Sequence, residues 1–253
     1  VELIQALAAW PAGQQGTAAA RHRVAALGLD PALVGQAGPL LADASAREAR
    51  MQVIDAQYGG ILSDSASVLV VFDQWLAGAG GAVRAGGSTV DVRLVRASPR
   101  WRVTELHPAE PGPAVANPPS PGAALLASDR VHLPPAAGAD IRSGNVHASV
   151  LRALAALSES YVLDVSVVRS GHPIFVFGTD RRSDHPRGRA VDVWAINGRR
   201  VVDPDTPHDL VDTFMRHGAD LGSYNVGGPR QLDGPQFFSD ATHHDHVHLG
   251  FRT

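Results

Sequence analysis

Four histidines fall within six positions near the end of this 253-residue chain, in His243-His244-Asp245-His246-Val247-His248. A fifth opens the segment His185-Pro186-Arg187-Gly188-Arg189-Ala190-Val191-Asp192. Imidazole and carboxylate are the side chains that bind a borderline cation such as Zn²⁺. The chain has no cysteine, so thiolate sites and disulfide frameworks are excluded and any metal falls to His and Asp or Glu. A purification tag is the mundane source of a histidine run. Here Asp245 and Val247 interrupt the run, and it continues into Leu249-Gly250-Phe251.

Side chains alternate faces along a strand. In Ala190–Ile196, read as a strand, Asp192 and Trp194 share one face and Val191 and Val193 the other. In Asp245–Phe251, His246 and His248 share a face, with Val247 and Leu249 opposite. Two such strands side by side aim Asp192 and both histidines at one point. His185 lies on the loop feeding the first strand, and Gly188 lets that loop fold back closely. Three N, N and O ligands leave a fourth position of a tetrahedral ion open, as catalytic zinc requires. His246 and His248 are about 6.5–7 Å apart along a strand, too far for equivalent places around one small ion. One ligates and the other acts beside it; a competing assignment makes His243 or His244 the ligand.

These two segments, SDHPRGRAVDVW and HDHVHLGF, resemble the two metal motifs of the LAS superfamily of zinc peptidases. That group includes D-alanyl-D-alanine carboxypeptidases and dipeptidases and the related hedgehog signalling domain. The resemblance covers about residues 140–253 and implies a small antiparallel sheet with flanking helices. It implies zinc ligands His185, Asp192 and His248, with His246 as the catalytic histidine. It further implies hydrolysis of peptide bonds in cell-wall stem or cross-bridge peptides, D,D- or L,D-specific, by zinc-activated water. The family's Ser-Gly-Tyr-Arg pattern is absent: the sequence reads Ser170-Gly171-His172-Pro173. Arg169, Arg181 and Arg182 are candidates for the missing arginine, with Arg181 favoured for its place one turn of chain before His185. Asp245 is a candidate to fix a histidine tautomer from outside the ligand set.

The elements that must hold these residues read as an α+β protein of two domains. In 140–253, Val150, Leu151, Leu154 and Leu157 mark an amphipathic helix, and DLVDTFMRHGADL marks another. VLDVSVVRS, IFVFG, RAVDVWAING and DHVHLGFR read as strands. Residues 108–139 are expected to be a Pro-rich linker, with six prolines in 108–122 and a Pro134-Pro135 pair. Residues 1–107 read as helices followed by antiparallel strands. Met51, Ile54 and Tyr58 have helical spacing, SASVLVVFDQWL is a buried strand, and the alternation of Val90, Val92 and Leu94 with Thr89, Asp91 and Arg93 predicts a hairpin with one buried face. ASVLVVFDQWL and RWRVTELHP resemble the nuclear-transport-factor-two-like domain of actinobacterial Mce-associated proteins, which implies a binding or spacer module.

Composition bounds the partners. Net charge is −3, with 22 basic residues that are all arginine. No basic field invites nucleic acid. No run of eighteen apolar residues spans a bilayer. The chain starts at Val1, and the expectation is an exported, cell-wall-side protein with an export segment or membrane anchor removed upstream. Its partner is then a peptidoglycan peptide, with a protein partner available to the N-terminal domain. Two rival readings remain: a catalytically inactive zinc module that binds peptidoglycan or a protein, and a scaffold acting through the N-terminal domain.

Overall fold

The computed structural model describes residues 1–41, 46–78 and 80–252. Two short helices lead, α1 (Glu2–Ala8) and α2 (Gly16–Ala26), followed by two 3₁₀ turns, Pro31–Gln36 and Gly38–Leu41. Four strands follow as an antiparallel meander: β1 (Glu48–Ile61), β2 (Ser65–Ala77), β3 (Val83–Val95) and β4 (Arg102–Pro108). One face of this sheet carries Val68, Val70, Phe72, Val90, Val92, Leu94 and Leu106. The helices press Leu3, Ile4, Leu7, Ala20 and Val24 onto it. Each fully buried side chain of this kind contributes roughly 1.5–3 kcal/mol.

The helix expected around Met51–Tyr58 is instead the long strand β1. Its period of two is broken by irregularities between Val53 and Asp55 and between Tyr58 and Gly60. An extra residue in a strand shifts all later side chains to the opposite face. Met51 packs against the helix side and Ile54 against the other face, so the two do not share the single face that helical spacing implied. The hairpin has two covered faces, not one. Asp91 and Thr89, expected on a solvent face, are each 1 % exposed.

The cover on that second face is the rest of the chain. Residues 109–121 hold no helix or strand. The expected linker does not continue to 139, however. From Gly122 the chain folds as α3 (Gly122–Leu126), β5 (Val131–His132) and α4 (Pro135–Arg142). Leu125, Val131 and Ile141 enter the same core as α5 (Ala148–Ser160). The prolines mislead because they sit at element starts, where a missing N–H costs nothing, as at the start of α4.

The second sheet continues with β6 (Leu163–Val167), β7 (Ala190–Ile196) and β8 (Arg199–Arg200). After α6 (His208–Asp220) come β9 (Asn225–Gly227), β10 (Phe237–Phe238) and β11 (Val247–Gly250). Strand order is β10-β9-β11-β7-β6-β5, with β8 on β7, in a seven-stranded sheet. It is mixed rather than purely antiparallel, because β5 pairs with β6 and β10 with β9 in parallel. The expected strand at Ile174–Gly178 is absent. That segment forms only an isolated bridge, Phe175 to Arg182, and Ile174 and Phe175 are exposed. Val150, Leu151, Leu154 and Leu157 face the core of α5 as their spacing predicts, joined by Phe214 and Met215 of α6.

Candidate metal centre

Strands β7 and β11 are antiparallel neighbours, and His248 is directly opposite Asp192. Opposed residues share a face, so both side chains leave the sheet at one point. His185 reaches the same point from a single 3₁₀ turn, His185–Arg187. That turn closes on Gly188 at φ 67°, where a Cβ would lie 2.0 Å from the Asn145 carbonyl oxygen. Only glycine fits both the torsion and the space.

The three candidate ligand atoms form a small triangle. His185 Nε2 is 3.1 Å from Asp192 Oδ1 and 3.2 Å from His248 Nδ1, and His248 Nδ1 is 2.9 Å from Asp192 Oδ1. A tetrahedral ion with bonds of ~2.0–2.1 Å would hold its ligand atoms about 3.3–3.4 Å apart, so the set fits such an ion with small outward shifts. His185 Nδ1 is fixed by the Val168 carbonyl at 2.9 Å, which leaves Nε2 free to ligate. His172, assigned no role from sequence, also belongs here. Its ring stacks on that of His185 with centroids 4.0 Å apart. His172, His185 and Asp192 offer ligand atoms within 4.8 Å of one another, a group able to hold a metal ion. The only sequence signal for His172 was its place in the departure from Ser-Gly-Tyr-Arg.

His246 precedes β11 rather than lying within it. Its Nε2 is 3.8 Å from Asp192 Oδ2, and its Nδ1 is 2.7 Å from Asp245 Oδ1. His243 bonds Asp240 at 2.7 Å, and the His244 ring engages the Ala241 carbonyl at 2.8 Å, so both are held by partners outside the triangle. Of the three candidate arginines, Arg181 lines the cleft above the site. Arg169 pairs with buried Asp140 at 3.5 Å.

Electrostatics prepares these groups differently. Burial pushes the Asp192 carboxyl up, but the imidazoles of His185 and His246 and its hydrogen bonds outweigh that and hold it well below the usual range. Burial, with His185 and His243 nearby, brings His248 down to about 4 against the pull of Asp192. His248 is therefore neutral at pH 7, as a ligand must be. Burial likewise takes His172 well below its ordinary value. His246 goes the other way: burial opposes its charge, yet Asp192, Asp245 and Asp55 together raise it.

A cleft of about 520 Å³ reaches the site, with His172, His246 and His248 in its lining. One wall comes from Val176, Phe177, Arg181 and Phe238 of the C-terminal half, the other from Tyr58, Gly59, Gly60, Ile61 and Leu62 of β1 and its turn. Gly60 lies so close to Phe177 that a Cβ would fall 2.1 Å from that residue's own Cβ.

No protein-family model matches this chain, and no curated protein does. Among solved structures, a nuclear transport factor 2 (NTF2-like) superfamily protein from Salmonella enterica subsp. enterica serovar Typhimurium str. LT2 is similar over 32% of the chain, at 11% identity and a TM-score of 0.25. The similarity spans 56% of that protein's length. The structure itself defines an α+β chain with a group of histidine and aspartate side chains able to hold a metal ion.

Proposed function

We propose that the chain is a zinc metallopeptidase acting on peptide bonds of cell-wall peptides outside the cytoplasm. One observation carries the reading: the triangle of His185 Nε2, Asp192 Oδ1 and His248 Nδ1, which meets a cleft at His248, with His246 beside it. The pattern SDHPRGRAVDVW with HDHVHLGF, similar to the LAS zinc peptidases, supplies the substrate class, and two neutral imidazoles with one carboxylate suit zinc.

A zinc ion in this set supplies positive charge that polarises a peptide carbonyl and lowers the pKa of a water molecule toward ~7. The chain's own groups do the rest. Asp245 holds the Nδ1 edge of His246, which turns Nε2 toward the cleft floor. Nε2 is then placed to accept a proton from the attacking water and to return it to the leaving amine. Arg181 lines the same cleft, where its guanidinium is available to a developing oxyanion. Phe177, Phe238 and Ile61 provide apolar walls for a peptide side chain. The test is digestion of purified peptidoglycan by the zinc-loaded protein, with released fragments identified by mass spectrometry. Cleavage by the wild type and not by His246→Ala is expected. No cleavage of any stem or cross-bridge peptide sinks the peptidase reading.

His172 favours a second reading, a catalytically inactive zinc module that binds peptidoglycan or a protein. A fourth protein ligand would close the coordination sphere, and the His172 ring is close enough to His185 to offer one. Tight peptidoglycan binding without fragment release would select it.

A further inference from the structure

Strand β1 of the N-terminal sheet ends inside the candidate metal centre. Gln57 is 1 % exposed and 135 residues away from Asp192 in sequence, yet its Nε2 donates to Asp192 Oδ2 at 2.8 Å. The Gln57 Oε1 accepts from the Ser166 hydroxyl of β6. An ionised carboxylate only accepts hydrogen bonds, so the amide nitrogen must face Asp192 and the amide oxygen must face Ser166. Both ends of the carboxamide are therefore fixed. With Oδ2 capped, the carboxylate presents Oδ1 to His185 and His248.

The next residue does the same for the other carboxylate. The backbone N–H of Tyr58 donates to Asp245 Oδ2 at 3.0 Å, while Asp245 Oδ1 holds His246. β1 is the outermost strand of its sheet, so one line of its backbone groups faces away from β2 and is free to do this. The irregularities at Val53/Asp55 and Tyr58/Gly60 bracket the pair. Strand bulges re-aim side chains and recur beside active sites. Two consecutive residues of one domain thus hold the two carboxylates of the other domain's site.

We infer that the N-terminal domain is a working half of the metal centre, with Gln57 as the positioning residue that fixes the ligand face of Asp192. The inference rests on the metal-site reading above. Outer partners of metal ligands are worth about 10–100-fold in metal affinity when removed. A Gln57 that only fills a polar hole at the domain boundary would change stability and leave coordination alone.

The experiment uses the full chain with Co²⁺ as probe, reading its dissociation constant by chelator competition and its visible absorption band. Gln57→Met keeps length and removes both polar ends. A 10–100-fold weaker Co²⁺ affinity and a shifted band are expected in the folded variant, beyond the loss of stability that comes with unpairing the buried Asp192 Oδ2 and Ser166 hydroxyl. Ser166→Ala leaves Gln57 in place but frees its carbonyl end, so a smaller loss in the same direction, about 2–5-fold, is expected. Should Gln57→Met fail to fold, Ser166→Ala decides alone. Unchanged affinity and spectrum in the folded variants overturn the inference while the metal site stands. A wild-type chain that binds neither Co²⁺ nor Zn²⁺ overturns the site and the inference together.

Discussion

The two faces of the N-terminal sheet are made of different residues for different reasons. Toward the helices it presents Val68, Val70, Phe72, Val90 and Val92, an ordinary apolar layer. Toward the second sheet it presents Asp55, Gln57, Ser67, Thr89 and Asp91, all buried, around a small apolar cluster of Ile54, Leu69, Val71 and Val167. A buried polar group costs free energy unless it is paired. Most of these are paired: Ser67 with Asp91 at 2.6 Å, Asp91 with Arg93 at 2.7 Å, Asp55 with Arg200 at 3.2 Å, Gln57 with Asp192. Asp55 Oδ2 and Thr89 Oγ1 have no hydrogen-bond partner among the described residues. The first face answers to stability. The second answers to the site it covers, and substitutions on the two should separate those quantities.

The largest separation is expected at the site itself. His246→Ala should lower the rate on a cleavable peptidoglycan peptide by about 10²–10⁴-fold, the usual worth of a positioned acid–base group, while zinc stays bound. Steady-state rates and elemental analysis on one preparation check it. Full activity in the variant would remove His246 from the mechanism.

On the helix-facing side, Phe72→Ala should cost about 3–5 kcal/mol in a denaturant titration, because it empties a fully buried ring from the core. Metal affinity of the folded protein should not change. A loss of affinity comparable to that of Gln57→Met would mean the two faces are not distinct.

Asp55 gives the opposite sign. Burial above all, with Asp245 nearby, raises its carboxyl to about 6 in the fold, against the pull of Arg200 and His246. Between roughly pH 4 and 6 the folded chain therefore binds more protons here than the unfolded chain. The contribution to stability is complete below about pH 4 and is lost as pH rises through 6. Asp55→Asn should then stabilise the metal-free protein by about 1–3 kcal/mol at pH 8 and have little effect at pH 4. Equal effects at both pH values would contradict the assignment.

The smallest effect concerns the join. A protease should nick residues 109–121 first, since irregular exposed segments are cut before folded ones. The halves should still co-elute on gel filtration, because Val167 packs with Leu69 and Val71 and Gln57 is tied to Asp192. Separation of the nicked halves would show that the shared face contributes little.

How much of this was legible in the sequence follows the range of each contact. His185 is on the loop seven residues before Asp192, and His246 and His248 are two apart, so strand alternation with one short loop brought them toward one point. The helix α5 and the strands β2, β6 and β7 were legible for the same local reason. Gln57 reaches Asp192 across 135 residues and Tyr58 reaches Asp245 across 187, and no local pattern encodes either pairing. β1 read as a helix because Met51, Ile54 and Tyr58 are spaced as on one helical face, whereas Met51 and Ile54 pack on opposite faces of the strand. Asp91 read as solvent-facing because alternation says which residues share a face and not what covers the other one.

The most direct test is metal stoichiometry across three full-length proteins loaded with Zn²⁺ and dialysed: wild type, His248→Ala and His246→Ala. If His185, Asp192 and His248 are the ligands and His246 stands beside them, the wild type and His246→Ala retain one zinc per chain and His248→Ala loses it. Zinc lost from His246→Ala but kept by His248→Ala would reverse the two roles, and a wild type without zinc would contradict the metal centre itself.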